Sequence, residues 1–203
     1  MTMGHADGEL VLASASPRRR ELMREAGYRF EVRAADVPEE LPEESDDPAA
    51  EAMRLAEAKA VAVAARVASP GRWVLGADTI VVLGRRLIGK PRDAADAEAI
   101  LRSLSGSEHR VITGVALVES GSMRRLVRHA STAIRMRRID DAEIRRYVAG
   151  GGSHGKAGAY AVQEGGDRYI ERMDGSFTNV VGLPMELLAE MLREVGWKGV
   201  AER

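Results

Sequence analysis

The chain has 203 residues, 45% hydrophobic and 30% charged, an ordinary globular composition with enough length to bury a core as one domain. Lysine and arginine number 30 against 31 acids, so the formal charge of −1 gives no overall field for nucleic acid or an anionic membrane, and any anion binding must be local. The absence of cysteine excludes a disulfide framework, a thiolate nucleophile and a Cys-ligated zinc, and fits a reducing compartment, with the cytoplasm as the default.

The opening "MTMGHADGEL" has neither a basic n-region nor an apolar h-region, and no later run is long enough to span a bilayer, so no membrane role is expected. Residues 1–8 read as a flexible tail and 9–198 as a single domain. Leu10 to Ala13 form a short apolar strand, after which Ser16 can cap a helix, Pro17 suits its first position and Gly27 ends it. Tyr28 to Ala34 alternate like a second strand, followed by the acidic, proline-broken loop "ADVPEELPEESDDP". Asp47 before Pro48 starts a long alanine-rich helix to about Val67. Trp73 to Leu83 is the most strand-like segment; Leu87 and Ile88 follow a turn, and Asp93 caps a helix to residue 104. "HRVITGVALVES" and "MRRLVRHASTAIRMRRI" read as neighbouring antiparallel strands, and Asp140 and Glu143 have capping-box spacing before a helix that stops at Gly150. Strands are expected near 159–163 and 168–173, with "LPMELLAEMLREVG" a closing helix. The interleaving predicts an α/β class, a mixed β-sheet flanked by helices.

Chemistry is suggested first by "VLASASPRRRELM". A strand that runs into a helix start leaves backbone N–H groups and a positive dipole end, around which Ser14, Ser16, Arg18, Arg19 and Arg20 would gather an anion such as a triphosphate. The same residues also fit a plain cap and a solvated helix face. No Walker spacing is present. In "VLGADTIVVL", Asp78 and Thr79 interrupt a buried run, a costly place for a carboxylate unless it is paired, coordinated or facing a cleft. Lys59, Lys90 and Lys156 lie in the long helix, before a proline and in a glycine-rich loop; each alone fits a solvated surface residue. Gln163 can donate and accept at once, which matches the carbonyl and imide edge of uracil or thymine, though alone it equally fits an ordinary strand-end polar residue. His5, His109, His129 and His154 have no metal-ligand spacing; oxygen-liganded Mg²⁺ or Mn²⁺ on Asp78 and Glu39, completed by phosphate and water, fits better.

As a set, "LASASPRRRELM", "GADTIVV", "GKPRDAADA", "HRVITGVAL", "GKAGAYAVQ" and "GSFTNVVGLP" resemble the Maf family of nucleoside triphosphate pyrophosphatases, in family order across residues 12–184. The resemblance implies a fold related to inosine-triphosphate pyrophosphatases with a cleft between two lobes, a divalent cation, a homodimer, and hydrolysis of a nucleoside triphosphate to the monophosphate and pyrophosphate. It implies Asp78 as the proton acceptor and Arg18, Thr79 and Gln163 as base-selecting positions. Ser14, Ser16, Arg19, Glu39, Lys59, Lys90 and Lys156 would line the pocket. "GADT" and "YAVQ" resemble the dTTP and UTP branch, modified pyrimidine triphosphates included; a pyrophosphatase for 7-methyl-GTP or another modified nucleotide, or a non-catalytic nucleotide-binding regulator of cell division, are the alternatives. One departure from the family pattern is Gly155, where an acid usually precedes "KAGAY".

Overall fold

The computed structural model describes residues 9–153 and 155–199; the expected tail, residues 1–8, lies outside them, as does His154. One seven-stranded mixed sheet runs through the molecule in the order β2-β1-β3-β5-β6-β7, with β4 on β3. The strands are β1 (Leu10–Leu12), β2 (Phe30–Val32), β3 (Trp73–Leu83), β4 (Arg86–Ile88), β5 (Glu108–Glu119), β6 (Arg125–Met136) and β7 (Ile170–Asp174). The helices are α1 (Pro17–Glu25), α2 (Pro48–Ala64), α3 (Ala94–Leu104), α4 (Asp141–Ala149), α5 (Phe177–Val181) and α6 (Met185–Glu194). No helix among the described residues is long and apolar enough to cross a membrane.

Side-chain caps set the helix starts. Ser16, Asp47, Asp93 and Asp140 accept from the backbone N–H groups of Arg19, Ala50, Asp96 and Glu143. The expected capping box is only half formed, because the Glu143 carboxylate turns to Arg137 instead, at 2.8 and 3.0 Å. Three expectations are corrected. The second strand contracts to three residues, α5 was not foreseen, and residues 159–163 are no strand. That last segment contains a tight turn at Ala157–Ala159, with Gly158 and Ala159 both at positive φ, then an irregular turn from Val162.

Both faces of the sheet are covered. Leu22 and Met23 of α1 and Leu188, Met191 and Leu192 of α6 pack with Leu10, Leu12, Leu75 and Leu117 on one face. On the other, Ala56, Ala60, Val63 and Ala64 of α2 pack with Val11, Val74, Ala116 and Val118. Helix α2 lies unusually close because its alanines meet glycines: a Cβ at Gly76 would sit 2.2 Å from the Ala56 carbonyl oxygen, and one at Gly114 2.2 Å from that of Ala52. This close approach is what lets a side chain of α2 reach the middle of β3.

The sheet opens at one place. Along one edge β3 pairs with β5 from Trp73 to Val82. On its other edge it pairs with β1 at Val74 and Leu75 and with β4 from Val81 to Leu83, so Gly76–Ile80 has no strand beside it there. The chain leaves β1 after the Ala13 N–H bonds the Leu75 carbonyl, 2.8 Å, and turns into α1. A crevice beyond the carboxyl end of such a strand is where open α/β sheets take ligands.

Candidate active site

That gap is the floor of a cleft of about 650 Å³. Asp78 and Thr79 sit in its middle; as neighbours on a strand they point to opposite faces, yet the missing partner strand lets both line the opening. Eleven of the twelve residues singled out from the sequence line it: Ser14, Ser16, Arg18 and Arg19 from the β1–α1 turn, Glu39 from the acidic loop, Lys59 from α2, Asp78 and Thr79 from β3, Lys90 after β4, and Lys156 and Gln163 from the segment after α4; Arg20, expected beside Arg18 and Arg19, is not among the lining residues.

On the α2 side the charges interlock. The buried Lys59 ammonium lies 2.5 Å from Asp78 Oδ1 and 2.6 Å from Glu39 Oε1, and Lys90 Nζ lies 2.5 Å from Glu39 Oε2. Lys59 is 5% and Asp78 7% exposed, so this ion pair is held largely out of water. Burial alone would raise the Glu39 carboxyl, but hydrogen bonds from Lys59 and Lys90 outweigh it and hold it down to about 2. Among the described residues the only hydrogen bond to the Asp78 carboxylate goes to Oδ1. Oδ2 is left for something in the cleft.

On the α1 side a buried arginine acts as a strut. Arg19 donates from Nε to the Gly182 carbonyl at 2.7 Å, and from its two terminal nitrogens to Ser14 Oγ and Thr79 Oγ1 at 3.1 Å each. All of these acceptors are neutral, so the charge is not cancelled where it sits. Burial lowers the Arg19 pKa, while the Asp78 and Glu39 carboxylates oppose the shift. Ser14 Oγ also accepts from the Ser16 N–H, and Ser16 Oγ accepts from the Arg19 N–H. Both serine oxygens therefore receive hydrogen bonds from the protein, and their own hydroxyl protons remain to be donated into the cleft.

Sequence reasoning missed the neutral part of the assembly. Thr79 Oγ1 lies 2.9 Å from Thr113 Oγ1, which donates to the Asn179 carbonyl at 3.2 Å. The fully buried Asn179 amide donates to the Val111 carbonyl and to Thr132 Oγ1, both at 2.9 Å, tying α5 to β5 and β6. The segments "HRVITGVAL" and "GSFTNVVGLP" hold Val111, Thr113 and Asn179, and Thr132 had no signal at all. The cleft wall beyond Thr79 is apolar, with Val81, Val111, Ala157, Tyr160 and Val180 facing the opening. Among the described residues the cleft's charged lining comprises five cations, Arg18, Arg19, Lys59, Lys90 and Lys156, against two carboxylates, Asp78 and Glu39. Such a lining attracts a compact polyanion.

Tyr160 is anchored from behind. Its hydroxyl lies 2.8 Å from His109 Nε2, the rings meeting edge to face. Burial pulls His109 down to about 4, so it is neutral at pH 7. Because this folded value lies below the ordinary 6.5, the neutral ring's contribution is present above pH 6.5 and is lost as pH falls toward 4, a cost of roughly 3 kcal/mol. Urea unfolding followed across that window should show this loss, and His109→Gln should flatten it. An equally steep fall in the variant would assign the loss to other groups.

Comparison with known proteins places these observations. A family model described as Maf-like protein matches residues 9–195. A Geobacter sulfurreducens protein named dTTP/UTP pyrophosphatase is 51% identical over 93% of this chain and 97% of its own length. Proteins of the same name from Geobacter metallireducens and Pelotomaculum thermopropionicum are 50% and 46% identical, over 94% and 93% of this chain and 97% of each relative.

Proposed function

The chain belongs to the Maf-like protein family, and from that premise we propose that it hydrolyses dTTP and UTP to the nucleoside monophosphate and pyrophosphate. The reading follows the name its relatives carry. One observation carries it on this chain's own residues: a cationic cradle and an open carboxylate oxygen of Asp78 face one cleft at the gap in the sheet.

The triphosphate lies against the α1 amino end, where the Ser14 and Ser16 hydroxyls donate to its oxygens and Arg18 and Arg19 supply charge. Asp78 Oδ2 holds a water and takes its proton as the water attacks the α-phosphorus; the bond to the bridging oxygen breaks, and pyrophosphate leaves with that electron pair. The growing negative charge on the leaving group is met by cations already in position, which is where preorganised electrostatics lowers a barrier most. Lys59 keeps Asp78 in place. Gln163, whose side chain is exposed at the cleft rim, pairs with the imide edge of the base, with Thr79 and Arg18 at the selecting positions the family resemblance implies.

The residues fit a divalent cation of the Mg²⁺ or Mn²⁺ kind. Among the described residues no cluster of three or more His, Asp or Glu could cage a metal, and the available donors are Asp78 and Glu39, a set that suits an ion drawing its remaining ligands from phosphate and water. Both Glu39 oxygens are paired with lysines, so its ligation requires Lys59 or Lys90 to give way, whereas Asp78 Oδ2 is open. When bound, such an ion neutralises phosphate charge. The same reading includes a homodimer in the cytoplasm.

A panel of nucleoside triphosphates assayed with and without Mg²⁺ or Mn²⁺, with both products identified, tests the proposal. Release of pyrophosphate and monophosphate from dTTP and UTP ahead of CTP and the purines is expected, with Gln163→Ala flattening that order. Release of inorganic phosphate, or tight binding without turnover, would refute it.

A further inference from the structure

Lys156 and Gln163 lie seven positions apart on a segment with little regular structure, so something outside the segment must fix their spacing. We infer that Tyr147, on α4 and outside the cleft lining, is the positioning residue that does so. The inference rests on the pyrophosphatase reading above and concerns the same site.

One hydroxyl makes both connections. Tyr147 Oη donates to the Gly152 carbonyl at 2.9 Å and accepts from the Ala161 N–H at 3.1 Å. The Gly152 carbonyl also accepts from the Lys156 ammonium at 2.8 Å. Through this oxygen the loop that orients the lysine is joined to the backbone two residues before Gln163. The ring is fixed independently of the hydroxyl, edge to face with Tyr169 at 5.4 Å and under the Arg168 guanidinium at 5.9 Å. The loop can reach the phenol only because residue 152 is glycine: a Cβ there would lie 2.5 Å from the Tyr147 ring. Gly151 and Gly155, both at positive φ, bring the chain back toward the cleft. The glycine-rich "GGGSHG" thus gives Lys156 a carbonyl partner held by Tyr147, in a chain that has Gly155 immediately before the lysine.

Because the ring stays anchored when the oxygen is removed, Tyr147→Phe addresses position rather than packing. KM for dTTP and UTP should rise about tenfold, kcat should stay within about twofold, and the preference for UTP over CTP should fall several-fold, with the melting transition retained. Adding Tyr147→Phe to Lys156→Ala should raise KM by much less than Tyr147→Phe raises it in the wild type, because the part that passes through the Gly152 carbonyl is already lost and only the part that reaches Gln163 through Ala161 remains. Unchanged KM and preference in a folded Tyr147→Phe, or effects that multiply in the double variant, would overturn the inference. If Tyr147→Phe lost its melting transition, Gly152→Ala, which displaces the same contact sterically, carries the test: it should raise KM likewise, and an unchanged KM would refute the role. A wild-type chain that turned over neither nucleotide would instead sink the functional reading itself.

Discussion

Asp78→Asn should lower turnover of dTTP and UTP by roughly 10²–10⁴-fold, the usual worth of a positioned general base, while leaving nucleotide affinity within about tenfold. The two effects separate for a structural reason. An asparagine side chain keeps the shape of the carboxylate and can still accept from Lys59 through its amide oxygen, so the neighbours shown around it in the cleft need not move. What it cannot do is take a proton from water. The cradle of Ser14, Ser16 and Arg19 hangs on Gly182 and Thr79, across the cleft from that oxygen, and its hydrogen bonds do not pass through Asp78. Single-turnover rates and equilibrium titration of the same preparation measure the two quantities. A variant retaining most of its rate would remove Asp78 from the chemistry, and one that lost binding and rate together would make it a structural anchor.

Lys59→Met should cost about 3 kcal/mol of stability, near the low end for breaking a buried ion pair because Asp78 faces a cleft, and should abolish most activity. The ammonium serves two carboxylates; when it goes, Glu39 keeps Lys90, whereas Asp78 keeps no cationic partner among those the structure gives it. For a chain of this size the deficit corresponds to a melting temperature lower by roughly 6–12 °C at pH 7. A variant as stable as the wild type at neutral pH would mean the lysine and the acid are not coupled in solution.

Much of this architecture was legible because its determinants are local. The range Trp73–Leu83 was readable from the apolar residues on either side of Asp78 and Thr79, and the caps at Ser16, Asp47, Asp93 and Asp140 from residue type and spacing alone. The charged candidates stood out because a carboxylate in a buried strand demands a reason. The failures are equally physical. "AGAYAVQ" alternates like a strand, but Gly158 and Ala159 take positive φ and the buried Tyr160 ring, held by His109, overrides the pattern. "FTNVV" gave no helical signal because five residues carry less than two turns of periodicity. The gap between β1 and β4 that makes the cleft is a property of pairing along β3 and has no signature in any one segment. The continuation of Thr79 into Thr113 and Asn179 is invisible for a different reason: a threonine and an asparagine at those two positions look like ordinary strand and loop residues until the partners are seen.

The account depends on water, held at the open oxygen of Asp78, attacking the α-phosphorus of a triphosphate whose outer phosphates lie among the cations. A single turnover of dTTP in H₂¹⁸O reads this directly by mass spectrometry of both products. The label is expected in dTMP and absent from pyrophosphate; label in pyrophosphate would place the attack on the β-phosphorus and contradict the arrangement described.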